Sequence, residues 1–176
     1  MTDGLAREGI LRGARSLRRA YEHPDDLDAR SDMAVAALLS GMSLANAGLG
    51  AVHGFAGPLG GMYPIAHGVI CARLLPIVME TNLKALRERE PEHAALGRYR
   101  EIGRILTGKD TATADDGVAW TYDLRDALAI PALGAFGLGA DAFADVLPKA
   151  RKASSMKGNP LALTDDELLG ILEQAV

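Results

Sequence analysis

The sequence predicts an all-α protein, a helical bundle, and three observations carry that expectation. Alanine and leucine together number 55 of the 176 residues, whereas valine and isoleucine number 15. Ala and Leu lose little side-chain entropy in a helix, while β-branched side chains lose more. Aromatic residues make up only 5%, and no stretch alternates apolar and polar positions over strand length. At this length a single helical domain, residues 1–176, is expected. Apolar residues at 48% supply enough material for its core.

The elements follow in order. Thr2 or Asp3 can cap a first helix reaching about Tyr21, with Ile10, Ala14, Leu17 and Tyr21 on one face. Arg7, Arg12, Arg15, Arg18 and Arg19 fall on its other faces, as a solvated surface beside acidic neighbours. His23-Pro24-Asp25-Asp26 is a break whose acidic pair can open a second helix, Leu27 to Asn46. Gly48 to Gly68 holds seven glycines and two prolines. Val69 to Leu86 reads as a helix with Pro76 as a kink or join. Another helix spans about Glu92 to Leu106, with Gly108 as its C′ residue. Thr111 to Asp116 reads as a loop, Gly117 to Leu128 as helix and Pro131 to Gly139 as a connector. Asp141 can cap a short helix ending near Lys152. After a loop from Ser154 to Pro160, Thr164 and Glu167 form a capping box for the last helix.

Composition excludes several classes of function. With 19 basic and 23 acidic residues the formal charge is −4, which argues against a nucleic-acid binder. The lone Cys71 leaves no disulfide within the chain and fits a reducing, cytoplasmic setting. No apolar run approaches the roughly 18 residues of a membrane span. Met1 to Arg19 is arginine-rich with no apolar run behind it, unlike a secretory signal.

Two glycine motifs fail on chemistry and context. Gly103-Arg-Ile-Leu-Thr-Gly108-Lys109-Asp110 is close to a P-loop, but Asp110 stands where a hydroxyl should reach Mg²⁺, and the segment ends a helix. Gly137-Leu138-Gly139-Ala140-Asp141-Ala142 is a loose dinucleotide fingerprint without the strand such a turn requires. It reads as a helix-to-helix turn, so no nucleotide-binding domain is expected in this chain.

His53 and His67 are the informative pair. A straight helix would hold them about 21 Å apart, too far for one metal ion with bonds near 2.0–2.1 Å. Gly57-Pro58, Gly60-Gly61 and Tyr63-Pro64 can break such a helix and let both imidazoles converge from adjacent helix ends. The residues alone leave this open, because each imidazole could equally hydrogen-bond within a packed loop. His23 and His93 read as exposed helix-end residues.

The run Leu44-Ala-Asn-Ala-Gly-Leu-Gly-Ala-Val-His53-Gly-Phe-Ala-Gly-Pro-Leu-Gly-Gly61, followed by Pro64-Ile-Ala-His67-Gly68 and Leu74-Leu-Pro76, resembles the iron-containing, group III alcohol dehydrogenases. Thr2-Asp3, Ala29-Arg30-Ser31-Asp32 and Ser154-Ser-Met-Lys-Gly-Asn159-Pro160 extend the resemblance along the whole chain. It implies the helical metal-binding half of an enzyme whose other half is a nucleotide-binding α/β domain. It further implies that His53 and His67 ligate a divalent metal, iron or alternatively zinc. The family reaction is NAD(P)-dependent oxidation of a small alcohol or reduction of an aldehyde or ketone.

The departures shape the expectation. The family's other two ligands come from an Asp-x-x-x-His pair, and no Asp or Glu here stands four residues before a histidine. The chain is expected to begin just after that pair. Gly57 stands where many relatives carry a histidine near the nicotinamide. NAD(P) is therefore expected for the whole enzyme and not for this chain alone, which should bind metal weakly and lack turnover. The expected partner is a separate α/β half or a second copy. The rival reading, from another functional class, is a non-catalytic helical interaction module derived from the same scaffold.

Overall fold

The computed structural model describes all 176 residues and contains eight α-helices, three short 3-10 turns and no strand. In chain order the helices are α1 (Thr2–Glu22), α2 (Leu27–Asn46), α3 (Ala51–Met62), α4 (His67–Arg89), α5 (Ala95–Thr107), α6 (Ala114–Ala127), α7 (Phe143–Lys152) and α8 (Asp165–Ala175). The all-α expectation is borne out. The helices gather into two compact units, Met1–Ala47 with Ala94–Leu128, and Gly48–His93 with Ala129–Val176.

In the first unit α1 packs on α2 and on α5, and α5 packs on α6. Its centre is partly polar. Asp32 accepts from Arg15 Nε and Nη2 at 2.6 Å each, from Arg12 Nη1 at 2.8 Å and from the Ser16 hydroxyl at 2.6 Å. Ser16 is fully buried and Asp32 nearly so. These partners, led by Arg15 and Ser16, hold the Asp32 carboxyl well below the usual carboxylate range. Four of the five α1 arginines are thus ion-paired, Arg7 with Glu101 and Arg19 with Asp26 joining Arg12 and Arg15.

Several local expectations are corrected here. Met1, not Thr2 or Asp3, is the N-cap of α1, without a side-chain bond; the Asp3 carboxylate instead accepts from Arg98. Tyr21 is 57% exposed and lies off the packed face. Asp26 does cap α2, accepting from the Ala29 N–H at 2.9 Å. Gly108 ends α5 with φ +69°, a left-handed conformation that costs glycine nothing. Thr111–Asp116 is not wholly loop: Thr113 and Asp116 form a reciprocal capping box, so α6 starts at Ala114. The shorter Asp serves where Glu is the usual partner.

The second unit holds the large apolar core. Phe55 and Leu59 of α3, Ile70, Leu74 and Ile77 of α4, and Ile171 and Leu172 of α8 are all essentially inaccessible. α3 packs on α4, on α7 and on the 3-10 turn Ser154–Gly158, and α8 packs on α4 and α7. Pro76 does not divide α4, and Pro58 does not end α3; both helices run through their prolines. A proline inside a helix costs about 3 kcal/mol, and burial of several large side chains on either side outweighs that. Asp141 lies in a short 3-10 turn (Ala140–Ala142) and does not cap α7, whose N-cap is Ala142. Part of the expected Pro131–Gly139 connector is a 3-10 turn as well, Leu133–Phe136. The Thr164–Glu167 capping box of α8 forms as expected.

Candidate metal centre

The candidate site lies in the second unit, on the first turns of two successive helices. Gly50, the N-cap of α3, has no side chain to offer the helix. The cap comes from a distant residue: Asn159 Oδ1 accepts from the Ala51 N–H at 3.1 Å. Asn159 also exchanges amide hydrogen bonds with the buried Asn82 of α4, Nδ2 to Oδ1 at 2.7 Å and 3.2 Å, and donates to the Leu161 carbonyl at 3.0 Å. The turn carrying Asn159 sits tight against the start of α3. A Cβ on Gly158 would collide with the Leu49 carbonyl oxygen. This anchored start fixes the third residue of α3, His53.

The chain then reverses at Tyr63–Ala66, where the Ile65 N–H donates to the Tyr63 carbonyl at 2.8 Å and Ile65 is buried. His67 is the first residue of α4. The reversal therefore arises from one break, at Tyr63-Pro64, while Gly57-Pro58 and Gly60-Gly61 lie inside α3. The result still joins the two histidines. Their ring centroids are 5.3 Å apart with the planes inclined by 49°.

A third donor accompanies them. Cys71 lies one helical turn after His67, and residues four apart share a helix face. Its Sγ is 3.4 Å from His67 Nε2 and 3.9 Å from His53 Nε2. One donor atom from each of the three residues lies within 4.8 Å of the others. Sequence reasoning treated Cys71 only as evidence about disulfides. The signal for it was the spacing of four between His67 and Cys71 on a helix. His23 and His93 are not part of the group: His23 is exposed at the end of α1, and His93 is half-buried near Glu90 at 3.8 Å.

Electrostatics suit a neutral nitrogen donor at His53. Burial, and secondarily the neighbouring His67, pushes the His53 imidazole below its ordinary value. Burial pushes the Cys71 thiol up. Two imidazoles and one sulfur, with no carboxylate in the group, form a donor set of the kind that holds divalent transition metals, so the residues present fit such an ion.

The Fe-containing alcohol dehydrogenase family, C-terminal, is the family model that matches, and it does so over residues 1–176. The chain is 36% identical over 177 residues to the 1,3-propanediol dehydrogenase of Klebsiella pneumoniae, covering 99% of this chain and 44% of the relative. It is 34% identical over 167 residues to the choline dehydrogenase of Bacillus subtilis, covering 94% of this chain and 40% of the relative. A solved 1,3-propanediol oxidoreductase superposes with TM-score 0.88 at 34% identity, over 99% of this chain and 45% of that one. The alcohol dehydrogenase from Oenococcus oeni follows with TM-score 0.86 at 31% identity, again over 99% and 45%. The chain thus spans less than half the length of these relatives. It belongs to the Fe-containing alcohol dehydrogenase family and corresponds to that family's C-terminal helical domain.

Proposed function

We propose that the chain acts as the metal-holding half of an NAD(P)-dependent alcohol dehydrogenase, with His53 and His67 as two of the metal's ligands. One observation carries this reading: two imidazoles fourteen residues apart meet with ring centroids 5.3 Å apart. The metal, iron or alternatively zinc, would supply a Lewis acid that polarises the oxygen of a small alcohol, aldehyde or ketone.

The chain's own residues do the holding. Burial of half-buried His53 favours its neutral form, which offers a lone pair. Phe55 and Leu59, buried on the same helix, anchor the helix that carries that imidazole. Metal ligands are effective only when their orientation is fixed by such support.

The nicotinamide cofactor is assigned to an α/β half. A dinucleotide's phosphates are held at a strand-to-helix turn, and this chain contains no strand. The surface of α2 supports a partner: Val35 is 36% exposed, Leu38 63% and Met42 45%, an apolar strip at i, i+3, i+7 that a second chain would cover. No helix is long and apolar enough to cross a membrane, and we assign the protein to the cytoplasm.

The test is NAD(P)H absorbance with assorted small alcohols and aldehydes in Fe²⁺ or Zn²⁺. The chain alone should give no turnover. Mixed with a nucleotide-binding half from a full-length relative, it should gain turnover that His53→Ala and His67→Ala each abolish. A stable complex without turnover would replace the enzymatic reading with that of an interaction module. Robust turnover by the chain alone would overturn the division of labour.

A further inference from the structure

Cys71 takes no part in the two-histidine reading, yet its sulfur stands between both imidazoles. A thiol making one hydrogen bond needs one ring nitrogen; this sulfur is 3.4 Å from one and 3.9 Å from the other. A shared ion would bring one sulfur within reach of both nitrogens in this way. In a tetrahedral zinc site with Zn–S near 2.3 Å and Zn–N near 2.0–2.1 Å, sulfur and nitrogen stand about 3.5–3.6 Å apart. The two observed sulfur–nitrogen separations bracket that edge, and all three donor atoms lie within 4.8 Å of one another, so closing on an ion asks the imidazoles to turn toward each other.

From this geometry we infer that Cys71 is a third protein ligand, giving this chain a His53–His67–Cys71 zinc site. The inference rests on the two-histidine reading and extends it to a residue and a metal preference. On binding, the Cys71 thiol releases its proton to solvent and the sulfur lone pair forms the metal bond. In the isolated chain the remaining position would be left to water. Imidazole suits iron and zinc alike, whereas thiolate shifts the choice toward the softer ion, zinc. The supporting frame is already rigid: His67 and Cys71 share one turn of α4, whose next turns bury Leu74 and Ile77, and His53 sits on the capped first turn of α3.

The experiment is titration of the full 176-residue chain with Co²⁺ as a spectroscopic stand-in for zinc, under reducing, oxygen-free conditions, followed by Zn²⁺ competition. The expected result is one Co²⁺ per chain with near-ultraviolet thiolate-to-cobalt charge-transfer absorption. Cys71→Ala should lose that absorption and weaken Zn²⁺ binding by at least about tenfold, the lower end of what losing even an outer-shell partner costs. It should also narrow the preference for Zn²⁺ over Fe²⁺. Stoichiometric binding that lacks the band yet depends on His53 and His67 would remove Cys71 and leave the two-histidine reading intact. Failure of the unaltered chain to bind stoichiometrically would likewise remove Cys71, because two imidazoles alone are expected to bind only weakly, and binding indifferent to all three substitutions would remove both readings. The band is read in the unaltered chain, so the inference stays testable even where a variant folds poorly.

Discussion

Asn82 and Asn159, seventy-seven residues apart, pair their side-chain amides reciprocally, and through Asn159 the pair caps the helix that carries His53. Asn159 uses its full capacity: two donors engaged and two bonds accepted at Oδ1. Buried amides are costly when unpaired and strongly specifying when satisfied. This pair ties the Ser154–Gly158 turn, α3 and α4 into one frame for the candidate metal centre.

Asn159→Ala should therefore do more than remove a hydrogen bond. It strips Asn82, which is 2% exposed, of a buried partner and leaves the Ala51 N–H uncapped. We expect a loss of about 2–3 kcal/mol, measured by urea denaturation. Co²⁺ binding should weaken as well, although Asn159 is not in the donor group. A stability loss with unchanged metal affinity would show that the cap does not position His53.

Asp32 predicts a specific acid sensitivity. Its carboxyl is held below the usual range in the folded chain by Arg15, Ser16 and Arg12. A carboxyl depressed on folding contributes stability that is fully present above its unfolded value, near pH 4, and is lost as pH falls through the lower folded value. The folded chain should thus lose stability progressively below about pH 4. Asp32→Asn should be less stable than the unaltered chain at pH 7, and the gap should shrink as both are acidified. Denaturation curves across this range read the difference directly; a gap independent of pH would contradict the assignment.

Thr113→Ala tests the cap that the sequence reading missed. Thr113 Oγ1 accepts from the Asp116 N–H at 3.2 Å, and the Thr113 N–H donates to Asp116 Oδ2 at 2.7 Å. Loss of such a cap typically costs about 1 kcal/mol. Thr164→Ala, at the matching position of α8, should cost a similar amount. Thermal melts of the two variants should fall by comparable amounts, and an unchanged melt for Thr113→Ala would mean that α6 does not depend on its box.

Helix content was legible because Ala/Leu composition and local end signals act over a few residues. Asp26 and Thr164 begin helices through their side-chain oxygens, and Gly108 ends one through its left-handed backbone. The prolines misled for a physical reason: local propensity disfavours Pro58 and Pro76 in helices, but their neighbours Leu59 and Ile77 bury completely in the folded chain. Tertiary burial is invisible to a local reading. The same limit hid Asn159 as a cap, since it acts across 108 residues on Ala51. His53 and His67 could be proposed as a pair from their family resemblance. Cys71 could have been added only by recognising α4 to begin at His67 rather than Val69, which puts the thiol on the same helix face as the imidazole.

The glycine-rich middle allows a final contrast between glycines that look alike in sequence. Gly57 lies in the interior of α3, exposed, and a Cβ built there would meet nothing within 4 Å. Alanine at such a position should stabilise the helix by about 0.5–1 kcal/mol, through the backbone entropy that glycine loses on folding. Gly158 is the opposite case, because its Cβ would occupy the space of the Leu49 carbonyl oxygen. Backbone cannot rotate away as a flexible side chain can, so Gly158→Ala must push the Ser154–Gly158 turn off the start of α3. Gly57→Ala is expected to raise the melting temperature and leave Co²⁺ binding unchanged. Gly158→Ala should lower the melting temperature and weaken Co²⁺ binding, by displacing the Asn159 cap and with it His53. If Gly158→Ala melts normally and binds metal normally, the turn is not the clamp that holds the helix carrying His53.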